Sequence, residues 1–423
     1  MNKPAAPFYR ADLYGYRGIA CVFVFLYHGG LDLAPGATLA VDSFFILSGY
    51  LLAKFAWHAQ LNNAFDVAAY YEKRARRVFP PVFIMLLILV PVSYWIFLPD
   101  DLVHYADSVV ATIAYVSNFY MWGAVDYFSP AAAVTPLVHT WSLATEEQFY
   151  LFLPLFLIVL SKLNSKAVTP VYLVVFLVAL GLGQWTANNM GIGAHYLLTG
   201  RIWEFLLGMA VGMYWPQEQQ DKYRGIVSEF LSLFGMGLFI FYILVFSYEA
   251  LNPPSYHMLP PLIGLCLFIM FSHPRTLIYR VLSWRIFVGP GHASYSIYLW
   301  HYPLFAFWRY RTQEPLSVAE LLIIILILIP IAWLSWAYTE EFFRNRRRIS
   351  LRAFIVSMAA IAVVTSAAAF YAQKTNGDVG RWGSAYNNII ESQKKPPIIA
   401  PCKFQKNFDR PGLTSCLDSF EGA

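Results

Sequence analysis

The first apolar stretch of the chain, residues 14–33, carries the ionisable side chains of Arg17 and His28 among its apolar residues. Such groups are costly inside a membrane, so we interpret them as functional candidates that face a cavity or a partner. They are eleven residues apart, which on a helix is three turns plus about 20°, so they share one face at an axial separation of about 16 Å. This stripe can connect an anion held by the guanidinium with a reaction at the imidazole, the commonest general base. The alternative is that His28 only caps or packs at the outer interface.

Asp42 is the predicted partner of His28. The turn between the first two apolar stretches centres near residue 35, so His28 and Asp42 should lie at similar depth on antiparallel helices. A carboxylate beside an imidazole fixes its tautomer and raises its basicity, as a general base requires. We therefore expect Asp42 to orient His28. The alternative is that Asp42 is the N-cap of the second helix.

A basic run, residues 72–77, leads into the third apolar stretch and contains Arg74 and Arg77. Such a run usually marks the cytoplasmic end of a span. Arginine forks also fit the oxygens of a phosphate, so the run is in addition a candidate phosphate clamp.

Polar and aromatic side chains concentrate in three further segments, residues 139–150, 201–204 and 294–303. Their hydroxyl, imidazole, carboxyl and aromatic groups suit sugar binding, and the alternative is ordinary hydrogen bonding between helices. Arg201 and Glu204 are three residues apart and are predicted to pair along one helix. The candidates from these segments are His139, Trp141, Ser142, Glu146, Glu147, Arg201, Glu204, Tyr295, Tyr298 and His301.

The composition indicates the solvent that surrounds these residues. The chain has 423 residues, of which 58% are hydrophobic and 13% charged, whereas soluble domains average about 25% charged residues. We therefore predict an all-α integral membrane protein, a polytopic helical bundle in contact with lipid. The net charge of +5 is carried in short runs between apolar stretches, which is typical of membrane topology and does not indicate nucleic-acid binding. No spacing typical of metal ligands occurs, so no metal site is predicted.

A membrane span needs about 20 mostly apolar residues. Candidate spans are 14–33, 38–55, 78–98, 145–161, 168–185, 200–215, 228–247, 258–273, 291–308, 318–338 and 352–371. A twelfth stretch, 107–123, lies within a region, 78–161, that has no Lys or Arg. Because basic residues favour the cytoplasm, we predict that this stretch stays on the outer face, with eleven crossings, the N-terminus inside and the C-terminus outside. Arg309 and Arg311 are the exceptions to this pattern, and twelve crossings with a cytoplasmic tail is the alternative.

The two ends of the chain differ in character. Arg17 interrupts the first stretch and no small-residue cleavage site follows, so we interpret it as a retained helix and not as a signal peptide. The last stretch, 352–371, is predicted to be a plain tether, and the polar tail after it is too short to bury a core. In that tail Cys402 and Cys416 can form a disulfide outside the cytoplasm, whereas Cys21 and Cys266 are interpreted as buried small apolar residues.

Seven motifs occur in order between residues 10 and 345. They are Arg17-x10-His28, Val41-Asp42-Ser-Phe-Phe-Ile-Leu-Ser48-Gly49-Tyr50, Arg74-x-x-Arg77-x-x-Pro80, His139-Thr-Trp141-Ser142-Leu-Ala-Thr-Glu146-Glu147-Gln148-Phe-Tyr150, Arg201-x-Trp203-Glu204, Ser294-Tyr295-Ser296-Ile-Tyr298-Leu-Trp300-His301 and Glu340-x-x-Phe343-Arg344. Each motif alone is weak. Together they closely resemble the membrane acyltransferase-3 family, which includes the O-antigen O-acetyltransferases of bacteria.

The resemblance implies a ten-helix acyltransferase domain at residues 1–345 in the bacterial inner membrane, an additional transmembrane helix at 346–372 and a periplasmic linker or tail at 373–423. It implies transfer of acetyl from cytoplasmic acetyl-CoA to a hydroxyl of a cell-surface glycan such as lipopolysaccharide O-antigen. His28 is then the catalytic residue, as base or acyl carrier. Arg17, Arg74 and Arg77 then engage the phosphates of CoA. Ser48, Glu340 and the polar candidates named above are implied to support the site or bind the acceptor.

The sequence also departs from this family's pattern. An eleventh helix and an exterior linker resemble the members with a fused SGNH-type domain, but no Gly-Asp-Ser block occurs before Ala423. Either the sequence stops before that domain or the domain is absent, and a periplasmic SGNH domain or partner is among the expected partners. Phe342 stands where the family usually has Pro.

Two other functions remain open from the sequence. A transporter or flippase of a glycan precursor would use buried ionisable groups without acyl-transfer chemistry. A purely structural membrane anchor is disfavoured, because an anchor needs no ionisable groups within its spans.

Overall fold

The computed structural model describes residues 9–215 and 225–383, apart from residues 32, 126 and 128. The predicted tail with Cys402 and Cys416 lies outside the described residues. Within the described residues every regular element is a helix and no strand occurs. The prediction of an all-α polytopic membrane protein is therefore confirmed.

The described residues contain fourteen helices of eight or more residues. They are α1 Ala11–His28, α2 Leu39–Leu61, α3 Val67–Ile96, α4 Pro99–Ile113, α5 Ser117–Ala124, α6 Thr140–Ser161, α7 Ser165–Asn189, α8 Leu198–Tyr214, α9 Ile226–Val245, α10 Leu259–Phe271, α11 Arg285–His292, α12 Ser294–Thr312, α13 Val318–Arg344 and α14 Leu351–Lys374. Shorter helical segments are Pro130–Ala133, Ile192–Tyr196 and Leu277–Leu282. Several helices begin at a side chain that accepts a hydrogen bond from a backbone N–H of the first turn, as at Asp66, Ser317 and Ser350.

Seven of these helices are long and apolar enough to cross a membrane, namely α2, α3, α6, α7, α9, α13 and α14. The other four predicted spans correspond to α1, α8, α10 and α12. Helices α8 and α10 have only 17 and 13 residues. Helices α1 and α12 have 18 and 19 residues, but their candidate site residues make them less apolar. Helices that carry polar site residues are shielded from lipid by their neighbours, so they can tolerate such residues.

The stretch 107–123 does not form one continuous helix. It is divided between α4 and α5 by a break at Tyr115, whose φ of 53° is left-handed. At about 1.5 Å per residue, α4 and α5 are each shorter than the roughly 30 Å hydrocarbon core. The structure therefore has no spanning helix at this stretch.

Helix α3 begins eleven residues before the predicted start of the third span, at Val67 and not at residue 78. Its 30 residues make it about 45 Å long, more than a bilayer core requires. Arg74 and Arg77 therefore lie on the helix itself and face neighbouring helices. Between them, Arg76 bonds to Glu72 at 2.8 Å and donates to the carbonyl oxygens of Phe343 and Ile349 at 3.3 and 3.1 Å. Arg76 thus links α3 to the end of α13 and to the loop before α14.

Glycine residues allow the central helices to approach closely. A Cβ atom on Gly49 of α2 would lie 2.0 Å from the carbonyl oxygen of Phe205, and one on Gly208 of α8 would lie 2.0 Å from that of Ile46. Similarly, a Cβ atom on Gly18 of α1 would lie 2.3 Å from the carbonyl oxygen of Phe287 in α11. Small residues commonly permit such backbone contacts between membrane helices. They bring α8 against α2, and α11 against α1.

The last helix, α14, is not the plain tether that its sequence suggested. It packs against α3 and α4, and Gln373 donates to the Oδ1 atom of Asp107 at 2.5 Å. Beyond it, Arg381 donates to the carbonyl oxygen of Phe97 at 2.5 Å. The described chain after α14 is therefore attached at the end of α3. Helix α14 itself packs on the bundle.

Candidate active site

A cavity lies among helices α1, α2, α3, α6 and α12. Eight of the predicted site residues line it: Arg17, Ser48, Arg74, Arg77, Ser142, Glu146, Tyr295 and Tyr298. Apolar side chains of α2, such as Phe44, Phe45 and Leu51, complete the lining. The tertiary fold therefore brings together residues as distant in the sequence as Arg17 and Tyr298, which are 281 positions apart.

One wall of the cavity is a closed ion-pair network around Arg74. Its Nε atom donates to Glu147 at 2.9 Å, and its Nη2 atom lies 3.3 Å from Glu146. The guanidinium also stacks over the ring of Tyr150, 3.5 Å from the ring centroid. Ser48 and Tyr150 both donate to Glu146. Arg74 is thus matched by two carboxylates, which leaves it little capacity for a phosphate, contrary to its predicted role.

The other two predicted arginines face the cavity without such partners. Within the described part of the chain, neither Arg17 nor Arg77 forms a hydrogen bond or an ion pair shorter than 4 Å, and the Nε atom of Arg17 is buried. Glu340, in the π-turn of α13, interacts electrostatically with both, and Glu147 also interacts with Arg77. Because both guanidinium groups still lack hydrogen-bond acceptors among the described residues, this end of the cavity can hold an anion.

A pair of hydroxyl groups continues the polar path from the cavity toward the other end of α1. Ser142 and Tyr298 lie 2.7 Å apart, and the Tyr298 hydroxyl donates to the carbonyl oxygen of His139 at 2.9 Å. The ring of His139 stacks on Tyr302 at 5.3 Å and its Nε2 atom contacts the carbonyl oxygen of Leu299 at 3.1 Å. Tyr295 donates to the carbonyl oxygen of Val78 at 3.0 Å and so attaches α12 to α3.

His28 lies at the far end of this path, buried, with its ring held between two side chains. Its Nδ1 atom is 3.0 Å from Nε2 of His301, and its Nε2 atom is 2.9 Å from the hydroxyl of Tyr127. The Nδ1 atom of His301 is 2.6 Å from the carbonyl oxygen of Tyr298. A carbonyl only accepts, so Nδ1 of His301 carries the hydrogen, and in the neutral ring Nε2 is the acceptor. His28 therefore donates from Nδ1, and its Nε2 keeps the lone pair that a base needs.

Tyr127 lies in the loop between α5 and Pro130–Ala133 and was not predicted from the sequence. Burial raises the pKa of its hydroxyl well above the ordinary value, so it stays protonated and donates to Nε2 of His28. A single tyrosine in a loop gives no periodic signal, and only the fold brings it to His28.

Arg309, near the end of α12, was noted only as an exception to the charge pattern. Its Nη2 atom donates to the carbonyl oxygen of His28 at 2.5 Å. The positive charge thus lies at the C-terminus of α1, where it complements the helix dipole. The exception to the charge pattern has a local structural reason, because this cation holds the last turn of the helix that carries His28.

Asp42 does not contact His28, so the prediction that it orients the imidazole is wrong. Its Oδ1 atom accepts from Nη1 of Arg201 at 2.6 Å and from the hydroxyl of Tyr248 at 3.2 Å. The predicted pairing of Arg201 and Glu204 is confirmed, with a separation of 3.2 Å. All three ionisable side chains are fully buried. The contact between α2 and α8 at Gly49 and Gly208 brings Arg201 to Asp42, and equal distance from a turn could not reveal this third helix.

Trp141 links this buried ion-pair cluster to the histidine pair. Its ring lies 4.4 Å from that of His195, which in turn lies 4.2 Å from the ring of Tyr127. Burial, followed by the charge of Arg201, lowers the pKa of His195 well below its ordinary value. His195 is therefore neutral, and its Nδ1 atom accepts from Arg201 at 3.1 Å. No motif or spacing in the sequence pointed to His195 as a site residue.

Taken together, the site has an anion-binding end at Arg17 and Arg77 and a proton-accepting end at His28. Both lie along α1, about 16 Å apart on the helix axis. Such a site can hold a donor by an anionic part and activate a hydroxyl group near its other end.

Comparison with known proteins adds independent information. A family model described as an acyltransferase domain matches residues 10–340. The chain is 28% identical over 360 residues to O-acetyltransferase OatA of Staphylococcus aureus, an alignment that covers 82% of this chain and 59% of that protein. It is also 28% identical over 316 residues to peptidoglycan O-acetyltransferase OatA of Listeria monocytogenes, covering 70% of this chain and 49% of that protein. The chain thus spans between about half and three fifths of the length of these relatives. No solved structure matches.

Proposed function

The chain belongs to the acyltransferase family whose domain model matches residues 10–340, and on this premise we propose that it transfers acetyl from cytoplasmic acetyl-CoA to a hydroxyl of a cell-surface glycan. The observation that carries the proposal is a cavity with two arginines that lack partners among the described residues, whose lining residue Tyr298 bonds through its carbonyl oxygen to the His28–His301 pair. A thioester donor that carries phosphate groups suits the end at Arg17 and Arg77. An acceptor with a hydroxyl group suits the end at His28.

In the proposed reaction, Arg17 and Arg77 bind phosphate groups of the donor and the acyl thioester extends along α1 to His28. The acceptor hydroxyl replaces the Tyr127 hydroxyl as the partner of Nε2 of His28, this nitrogen removes its proton, and the oxygen attacks the thioester carbonyl carbon. The carbon–sulfur bond breaks, and the CoA thiolate leaves with the proton that His28 has taken up. His301 acts as the positioning residue that Asp42 was expected to be, because it fixes the tautomer of His28.

The proposed acceptor is a cell-wall polysaccharide. The resemblance in the sequence pointed to lipopolysaccharide O-antigen, whereas the Listeria relative is named for peptidoglycan. We therefore favour peptidoglycan and retain O-antigen as the competing acceptor. Trp141 and His139 are buried against Tyr127 and Tyr302, so we assign them to the support of the His28 end.

The proposed orientation places the arginine-rich end of the bundle in the cytoplasm. The two densest basic runs, around residues 74 and 346, meet at one end of the bundle, where Arg346 lies 3.0 Å from Glu72. Basic residues favour the cytoplasmic side. The anion-binding end of the cavity then faces the compartment that contains acetyl-CoA, and the chain lies in the bacterial inner membrane as a multi-pass protein.

The direct test is the O-acetyl content of purified peptidoglycan and lipopolysaccharide from cells with and without the gene. We expect deletion to remove ester-linked acetyl from one of these polymers, and the intact gene to restore it. The His28→Ala variant, present in the membrane at the same level, is expected to leave the acetyl content at the deletion level. Unchanged acetylation in the deletion strain would contradict the proposal, and a flippase of glycan precursors would change polymer amount without changing acetyl per sugar.

A further inference from the structure

The helix that carries His301 is discontinuous inside the bundle. Helix α11 ends at His292, and α12 begins anew at Ser294 after Ala293, with no side chain capping its first turn. The N-terminus of a helix leaves backbone N–H groups without acceptors and carries a partial positive charge. In membrane proteins, the N-termini of broken helices are common binding sites for anionic groups. This N-terminus lies at the cavity, because Ser294 and Tyr295 both line it.

A second, independent feature of this point is the Ser294 side chain. It is only 1% exposed, and its hydroxyl oxygen is buried without a hydrogen-bond partner. A buried hydroxyl without a partner is costly. Because Ser294 lines the cavity, a bound ligand can supply the missing partner.

The depth of this site follows from its contact with α1. The Sγ atom of Cys21 lies 3.5 Å from the carbonyl oxygen of Ser294. Cys21 is four residues after Arg17 and seven before His28, or about 6 Å and about 10 Å along the helix axis. Ser294 therefore lies between the two functional ends of α1, nearer to Arg17.

The neighbouring guanidinium groups favour an anion. Arg17 and Arg77 line the same cavity without hydrogen-bond partners among the described residues, while Glu340 interacts electrostatically with both and Glu147 with Arg77. Glu146, a carboxylate of the lining, is already bonded to Arg74, Ser48 and Tyr150. The helix N-terminus thus adds positive potential beside guanidinium groups whose N–H donors are available.

We propose that the N-terminus of α12, the Ser294 hydroxyl and the Arg17 guanidinium together bind the phosphate group from which the pantetheine arm of the donor extends. The identity of the donor rests on the proposed function, whereas the anion site rests on the geometry. A phosphate bound here is about 10 to 16 Å from His28 along α1, so the acyl group must be carried on a long flexible arm. Pantetheine is such an arm, and the nucleotide phosphates, which lie beyond it, remain for Arg77 and the end of the cavity.

The test is ligand binding to the full-length protein in nanodiscs, measured as affinity for CoA, 4′-phosphopantetheine, pantetheine and adenosine 3′,5′-bisphosphate, which lacks the phosphate that bears pantetheine. We expect Ser294→Ala to weaken CoA and 4′-phosphopantetheine by a similar factor of roughly ten, the loss of one hydrogen bond to a charged group. Pantetheine and adenosine 3′,5′-bisphosphate should be unaffected by this change. Ser294→Thr, which keeps the hydroxyl, should restore affinity. The matched control is Ser296→Ala, whose hydroxyl is also buried without a partner but does not line the cavity, and which should leave both affinities unchanged.

A second variant keeps the proposal testable if Ser294→Ala is poorly folded. Ser294→Asp places a carboxylate at the same position, so we expect a higher thermal midpoint without ligand and loss of 4′-phosphopantetheine binding. A lower midpoint with binding retained would overturn the site. So would an equal loss of pantetheine affinity in Ser294→Ala, or a loss confined to adenosine 3′,5′-bisphosphate and CoA.

These outcomes separate the two proposals. Binding of 4′-phosphopantetheine that depends on Ser294, in a protein that never consumes acetyl-CoA, would support the anion site and contradict the proposed function. Acetyl-CoA consumption that does not change in affinity with Ser294→Ala would contradict the anion site alone.

Discussion

The Nδ1 atom of His28 faces Nε2 of His301 at 3.0 Å, and this contact determines which nitrogen of His28 can accept a proton. The carbonyl oxygen of Tyr298 fixes the tautomer of His301, and His301 in turn fixes that of His28. An imidazole in this second position adds no buried negative charge to the site. The arrangement therefore orients the base without the desolvation cost of an ionised carboxylate.

The role of His301 can be tested by its removal. His301→Ala leaves His28 without its Nδ1 partner, so we expect kcat to fall by a factor of about 10² or more, with little change in the KM for acetyl-CoA. His257→Ala is the control, since that ring is exposed and should have no effect. A kcat for His301→Ala within twofold of wild type would show that the imidazole pair is not needed.

Arg309 gives a second prediction at the level of single residues. Arg309→Gln removes the cation that bonds to the His28 carbonyl oxygen, so the last turn of α1 should become less ordered and kcat should fall by roughly tenfold, equivalent to about 1.4 kcal/mol. Arg311→Gln, a change of an exposed arginine on the same helix, should keep wild-type turnover. Equal effects of the two changes would mean that Arg309 acts only through surface charge.

Single residues were predictable where an ionisable side chain interrupts an apolar stretch. Arg17 and His28 met this criterion, whereas Arg77 was found in a basic run; the structure places Arg17 and Arg77 at one cavity and His28 at the end of a connected polar path. Tyr127 could not be found in this way, because tyrosine is common in loops and interfaces. The partner of Asp42 was predicted wrongly, because spacing along two helices does not reveal a third helix that packs against one of them.

At the scale of elements, apolar length located helices well but described their ends and partners poorly. Helix α3 begins earlier than its apolar part, because the basic segment that precedes it is also helical. Helix α14 is apolar and has charged side chains only near its ends, Arg352 and Lys374, which suggested an isolated tether. Its packing on α3 and α4 depends on complementary surfaces that hydropathy does not encode.

Close helix contacts give a prediction at this scale. Gly208→Ala places a methyl group 2.0 Å from the carbonyl oxygen of Ile46, so α2 and α8 must separate at a cost of about 1–3 kcal/mol. We expect a lower thermal midpoint of the purified protein and lower membrane levels. Gly181→Ala is the matched control, because nothing lies within 4 Å of the added Cβ atom and alanine favours a helix by up to about 1 kcal/mol. If both variants melt like the wild type, the approach of α2 and α8 is not limited by these glycines.

At the scale of the whole molecule, charge distribution gives the proposed orientation. Fusion of alkaline phosphatase after residue 346 should be inactive and fusion after residue 383 active, because the enzyme folds only outside the cytoplasm and α14 is proposed to lie between them. A green fluorescent protein fusion at the same two positions should show the reverse. Activity of phosphatase at residue 346 would invert the topology and place the arginine-lined cavity on the wrong side for acetyl-CoA.

The most direct test of the account is acetyl-CoA turnover by purified full-length protein with and without His28. With the His28→Ala variant in nanodiscs and a peptidoglycan fragment as acceptor, we predict that acetyl transfer falls by a factor of about 10² to 10⁴. The affinity for CoA, measured in the same sample, should stay within twofold of wild type, because the anion-binding end is about 16 Å away. Acetyl transfer that persists at the wild-type rate in this variant would contradict the central claim that His28 performs the chemistry.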